Sequence, residues 1–67
     1  MMDPTRIGKR LKEYMIARGM STNALAEKVG VTDVTIRNWK SGRTSMTLQH
    51  AEQVASALGI KIDDLLN

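Results

Sequence analysis

Four side chains between positions 33 and 38 carry the donors, acceptors and shapes that could read base-pair edges: Asp33, Val34, Arg37 and Asn38. An asparagine amide can make two hydrogen bonds to adenine, and a guanidinium can grip either guanine or a phosphate. A β-branched valine on a helix surface is unusual among solvated residues, and contact with thymine methyl groups would account for it. Asp33 can accept from a cytosine amino group, although facing the positive end of a helix dipole is a simpler task for a carboxylate at a helix start. On a helix these positions lie on adjacent rows at i, i+3 and i+4 spacing, so they form one stripe. Solvated helix residues could share this composition, and the weight therefore falls on the element that carries them.

Other chemistries find little support. The chain has no cysteine, which removes thiol nucleophiles, thiolate metal sites and disulfides. His50 is the one histidine and has no cysteine or carboxylate cluster in the sequence to complete a metal or nucleophile site. It reads as a boundary or interface residue. Asp63 and Asp64 are neighbours, but a helix amino end explains both. No phosphate-cradling glycine loop is present. The expectation is a non-enzyme without metal or cofactor. Tyr14 and Trp39 are the whole aromatic complement, too few for single-strand recognition by base stacking.

Length and charge set the frame. Sixty-seven residues make one domain, spanning 1–67, with only a small core and marginal stability. A formal net charge of +3 suits an anionic partner without identifying one. The chain lacks a long apolar run and an apolar secretory region behind Met1-Met2-Asp3-Pro4, so a cytoplasmic protein is expected.

Periodicity predicts five helices and no strand. The first runs from about Pro4 to Arg18, capped by Asp3, with Ile7, Leu11, Tyr14 and Met15 on one face. The second covers about Thr22–Val29 between Ser21 and Gly30, and turns Leu25, Ala26 and Val29 inward. The third covers about Asp33–Ser41 between Thr32 and Gly42, with Ile36 and Trp39 inward. The fourth covers about Leu48–Leu58 after Thr47, with Ala51, Val54, Ala55 and Leu58 buried. A short fifth covers about Ile62–Leu66.

The second and third of these have the residues that a helix-turn-helix demands. Ala26 is small where the following helix crosses, Gly30 suits a left-handed turn, and Val31 and Ile36 fill the wedge between the helices. Thr32 can satisfy the free amides at the start of the third helix, and Trp39 can close its far end against the first. The joint occurrence of small, glycine and two apolar residues at these spacings is far more specific than any one of them.

On these residues, together with Ile7-Gly8-Lys9-Arg10-Leu11, Gly19-Met20-Ser21, Ser41-Gly42 and Ala57-Leu58-Gly59-Ile60 through Leu65-Leu66, the chain resembles the phage-repressor and Cro-like (XRE) helix-turn-helix family over nearly its whole length. The resemblance implies an all-α, five-helix lambda-repressor-like fold, a recognition helix in the major groove of double-stranded DNA, and a transcriptional regulator, most often a repressor, bound as a homodimer to a palindromic operator. Two departures stand out. Family members often pair an arginine of the first helix with a glutamate just after the tryptophan position; here those places hold Met15 and Lys40. The exchange leaves no lone charge, so Met15 reads as core and Lys40 as solvent-facing near phosphate. Lys61 stands where a capping Ser or Asp is usual, so the fifth helix should fray more easily at its start.

With Ile36 and Trp39 turned inward, Asp33, Val34, Arg37 and Asn38 face the bases. Thr22, Asn23, Thr32, Lys40, Ser41, Arg43 and Thr44 form the rim that contacts the DNA backbone. Lys9, Arg10 and Lys12 read as a solvated face. Ile60, Ile62, Leu65 and Leu66 are the expected homodimer contact. An alternative of another class is a protein-interaction module, such as an antitoxin or a coactivator adaptor on a repressor-like fold.

Overall fold

Asp3 accepts the Thr5 amide at 3.0 Å and Pro4 opens the first turn, so α1 begins where a cap and a preset φ coincide. It runs Pro4–Ala17 in the computed structural model, which describes residues 3–67; Met1 and Met2 lie outside the described residues. The following helices are α2 (Thr22–Val29), α3 (Asp33–Ser41), α4 (Leu48–Leu58) and α5 (Ile62–Leu66), and no strand occurs among the described residues. Arg18, placed in the first helix by the periodicity, is its C-cap instead.

The starts of α2, α3 and α4 share one solution. Ser21, Thr32 and Thr47 each accept from the amide three residues on, at 3.1, 3.2 and 3.1 Å, which satisfies one of the free donors at each helix start. Lys61 cannot do this for α5. There Asp64 reaches back and accepts the Lys61 amide at 3.1 Å, half of a reciprocal box, so the start expected to fray is tied down from its third residue.

The apolar faces converge on one core. Ile7, Leu11 and Met15 of α1 meet Leu25 and Ala26 of α2, Ile36 and Trp39 of α3, Ala51, Val54 and Leu58 of α4, and Leu65 of α5. Met15 is buried, as the missing ion pair implied. Tyr14, Val29 and Val31 lie half-buried at the rim of this core. Leu65 has no exposed surface, so it is removed from the expected dimer contact: it already serves as the plug that holds α5 to the core. Ile60, Ile62 and Leu66 are only partly buried against the same cluster.

Gly8 decides how α1 and α3 meet. A Cβ at this position would fall onto the carbonyl oxygen of Trp39 and within 2.6 Å of that of Lys40. Both obstacles are backbone, so no side-chain rotation could relieve them, and the two helices pack this closely only because residue 8 has no side chain. Arg6 and Arg10 point elsewhere. Arg6 donates to the Asn67 carbonyl at 2.7 Å and Arg10 to the Asp64 carbonyl at 3.3 Å, so both bridge α1 to the chain around α5.

Candidate nucleic-acid interface

The turn between α2 and α3 sets the site. Gly30 adopts φ 81° and ψ 32°, a left-handed conformation that a side chain would strain, and the Ala26 carbonyl accepts both the Gly30 and Val31 amides, at 2.8 and 3.0 Å. Val31 then packs half-buried and Thr32 starts α3 immediately. The chain thus leaves α2 and enters α3 within three residues, with Ala26 buried at the crossing.

Burial fixes the rotation of α3. Ile36 is 0% exposed and Trp39 is 3% exposed, while Val34 is 55% exposed. Trp39 is also held from the α4 side, where the His50 ring lies 5.1 Å from its own, tilted by 47°. His50 is therefore a half-buried boundary residue. With the core side pinned, Asp33, Val34, Arg37 and Asn38 remain on the other side. Arg37 is exposed, while Asp33 and Asn38 are half-exposed beside it. Among the described residues, no hydrogen bond engages the Asn38 side-chain amide, whereas the Asn38 backbone carbonyl accepts from Ser41 Oγ at 3.1 Å and from the Arg43 amide at 3.0 Å. Arg37 Nη2 and Asp33 Oδ2 form an ion pair at 3.1 Å, one helical turn apart.

The rim residues fall into two groups. Thr22 and Lys40 meet directly: Lys40 Nζ donates to Thr22 Oγ1 at 2.7 Å and is partly buried. Lys40 therefore folds from the end of α3 over the amino end of α2, rather than extending into solvent as the sequence implied. Lys40 and Thr22 border a shallow cavity that Met15, Ile16 and Met20 also line. Asn23 is exposed beside Thr22.

The second group follows α3. Ser41 is exposed, and Arg43 and Thr44 project from a loop fastened at both ends. At one end Gly42 packs so closely on α1 that a Cβ would lie 2.9 Å from Thr5 Cα; at the other, Met46 is buried in the core. Thr32 is exposed, and its hydroxyl is shared between the Thr35 amide and the Thr35 hydroxyl, 2.9 Å away. Thr35, half-exposed, thereby joins the site although the periodicity did not single it out. Its spacing of three from a capping threonine was the available signal.

The whole surface is basic at its rim and mixed at its centre, with apolar Val34 among polar side chains. Among the described residues there is no group of three or more His, Asp or Glu that could hold a metal, and no helix is long and apolar enough to cross a membrane. The family model of the Cro/C1-type HTH DNA-binding domain matches residues 10–67. The chain belongs to the Cro/C1-type helix-turn-helix family. Within this family it is 34% identical over 62 residues to the HTH-type transcriptional regulator SinR of Bacillus licheniformis, an alignment covering 91% of this chain and 56% of SinR. The Cro/C1-type chain thus spans about half the length of the curated relatives it matches.

Solved structures agree. The restriction-modification controller protein C.AhdI from Aeromonas hydrophila superposes with a TM-score of 0.89 at 28% identity, covering 94% of this chain and 96% of that one. The biofilm master regulator SinR, solved in complex with DNA, superposes with a TM-score of 0.84 at 32% identity, covering 91% of this chain and 98% of that one. The five-helix architecture read from the sequence is that of the family.

Proposed function

We propose that this domain reads a specific double-stranded DNA sequence by placing the outward stripe of α3 in the major groove, and that it acts as a transcriptional regulator, most simply a repressor. The observation that carries this reading is the rotation of α3: its large apolar residues are buried, and Val34, Arg37 and Asn38 are left on the accessible side. Asn38 would bond adenine, Val34 would pack on thymine methyls, and Arg37 would take guanine. Thr22, Asn23, Thr32, Lys40, Ser41, Arg43 and Thr44 would contact phosphates on either side of the groove. The Lys40 ammonium beside the amino end of α2 adds positive charge where the helix already presents free amides.

The relatives SinR and C.AhdI support regulation as the role, and a family that reads DNA implies action in the cytoplasm. A homodimer on a palindromic operator is the arrangement we favour, with Ile60, Ile62 and Leu66 as the apolar contact once Leu65 is assigned to the core.

Selection of bound fragments from a random duplex pool, followed by gel shifts over a salt series, tests all parts at once. The expected result is an enriched inverted repeat, bound with an affinity that falls steeply with salt. An enriched single site would remove the dimer. Equal affinity for selected and random DNA, with tight capture of a protein partner, would instead favour the antitoxin or adaptor class.

A further inference from the structure

Asp33 occupies the first position of α3 and Arg37 the fifth, and their side chains are joined at 3.1 Å between Oδ2 and Nη2. The pair is well exposed, 41% at the aspartate and 65% at the arginine, so in water it does little for stability. Its aspartate stands amino-terminal to its arginine, which is the favourable sense along a helix. The pair lies on the stripe that carries Val34, away from the buried Ile36 and Trp39.

The geometry points to Asp33 as a positioning residue: its carboxylate braces the Arg37 guanidinium for guanine, and does not read a base itself. This rests on the proposed DNA-reading role of α3. A free arginine samples many rotamers, and freezing one of them opposes binding. The contact to Asp33 already selects those that keep the guanidinium over the amino-terminal half of α3, where base contacts concentrate. It leaves the fork usable. Each Nη carries two hydrogens; one on Nη2 goes to Asp33, and the second, with those on Nη1, remains to span guanine O6 and N7. Pairing also neutralises a carboxylate that would otherwise face the phosphates. In the groove, where water is thinned out, the same contact strengthens.

Duplex selection followed by competition binding on single-base variants tests this. In the wild-type domain, one position of the half-site should require guanine, and Arg37→Ala should abolish that requirement. Asp33→Asn should weaken the preference for guanine at that same position by about tenfold and leave the other positions unchanged. Asp33→Glu, which keeps the charge, should restore it, and Asp33→Asn combined with Arg37→Ala should behave as Arg37→Ala alone. Unchanged thermal unfolding of Asp33→Asn would show that the helix start survives. The inference is overturned if Asp33→Asn alters a different base position, if it changes all sequences alike, or if no guanine is selected opposite Arg37. A wild-type domain with no sequence preference at all overturns the DNA-reading role, and this inference with it; a clear wild-type preference that Asp33→Asn leaves intact overturns only the inference.

Discussion

The two sides of α3 differ in what holds them. On the core side Ile36 and Trp39 are sealed, Trp39 rests against His50, and the backbone at Trp39 and Lys40 presses on Gly8. On the outer side Val34 and Arg37 are exposed, and the contacts there, the Asp33–Arg37 ion pair and the hydroxyl bonds of Thr32 and Ser41, lie in reach of water. One side supplies free energy of folding and almost no freedom. The other supplies almost no stability and several unspent hydrogen-bonding groups. Because nine residues carry both, substitutions on the two sides should be separable: core-side changes should lower stability, and outer changes should lower recognition while leaving the fold intact.

The largest expected effect is on the core side. Trp39→Ala should cost about 4 kcal/mol of folding stability, enough to unfold most of a domain this small, and should be visible as loss of a cooperative transition in urea. Gly8→Ala comes next. The alanine gains helix propensity, about 1 kcal/mol, but its Cβ would press on two carbonyl oxygens that cannot rotate away. Overpacking should win, leaving a net loss of about 2 kcal/mol by denaturant titration. A stabilised Gly8→Ala protein would show that α1 and α3 are not in backbone contact.

The outer side should respond differently. Asn38→Ala is expected to leave the unfolding midpoint in place and to weaken cognate DNA by about 2 kcal/mol relative to random duplex, measured by competition gel shift. Equal loss on both DNAs would contradict the adenine contact. Arg43→Ala is the mildest. It should weaken cognate and random DNA alike by less than about 1 kcal/mol near physiological salt, and reduce the slope of log affinity against log salt by about one. A slope that does not move would place Arg43 off the phosphate backbone.

Relatives narrow the range of roles but do not cover the same length. C.AhdI matches the chain almost end to end, whereas SinR is nearly twice as long as the aligned segment. The segment they share carries α2 and α3.

Much of this architecture was legible from local signals. Asp3, Ser21, Thr32 and Thr47 declare helix starts because a short side-chain oxygen can meet an amide three residues on, or two for Asp3, whatever the rest of the chain does. Gly30 and the buried spacing of Ile36 and Trp39 orient α3 for the same reason: one turn and one periodicity suffice. Contacts between segments far apart in the chain were beyond such signals. That Lys40 folds back onto Thr22, that Gly8 is the point where α1 touches α3, and that Leu65 fills the core instead of a dimer face depend on distances across the fold, which no spacing along the chain encodes. The start of α5 is a local matter instead: Asp64 stands three residues after Lys61, the spacing of a reach-back, and its carboxylate accepts the Lys61 amide.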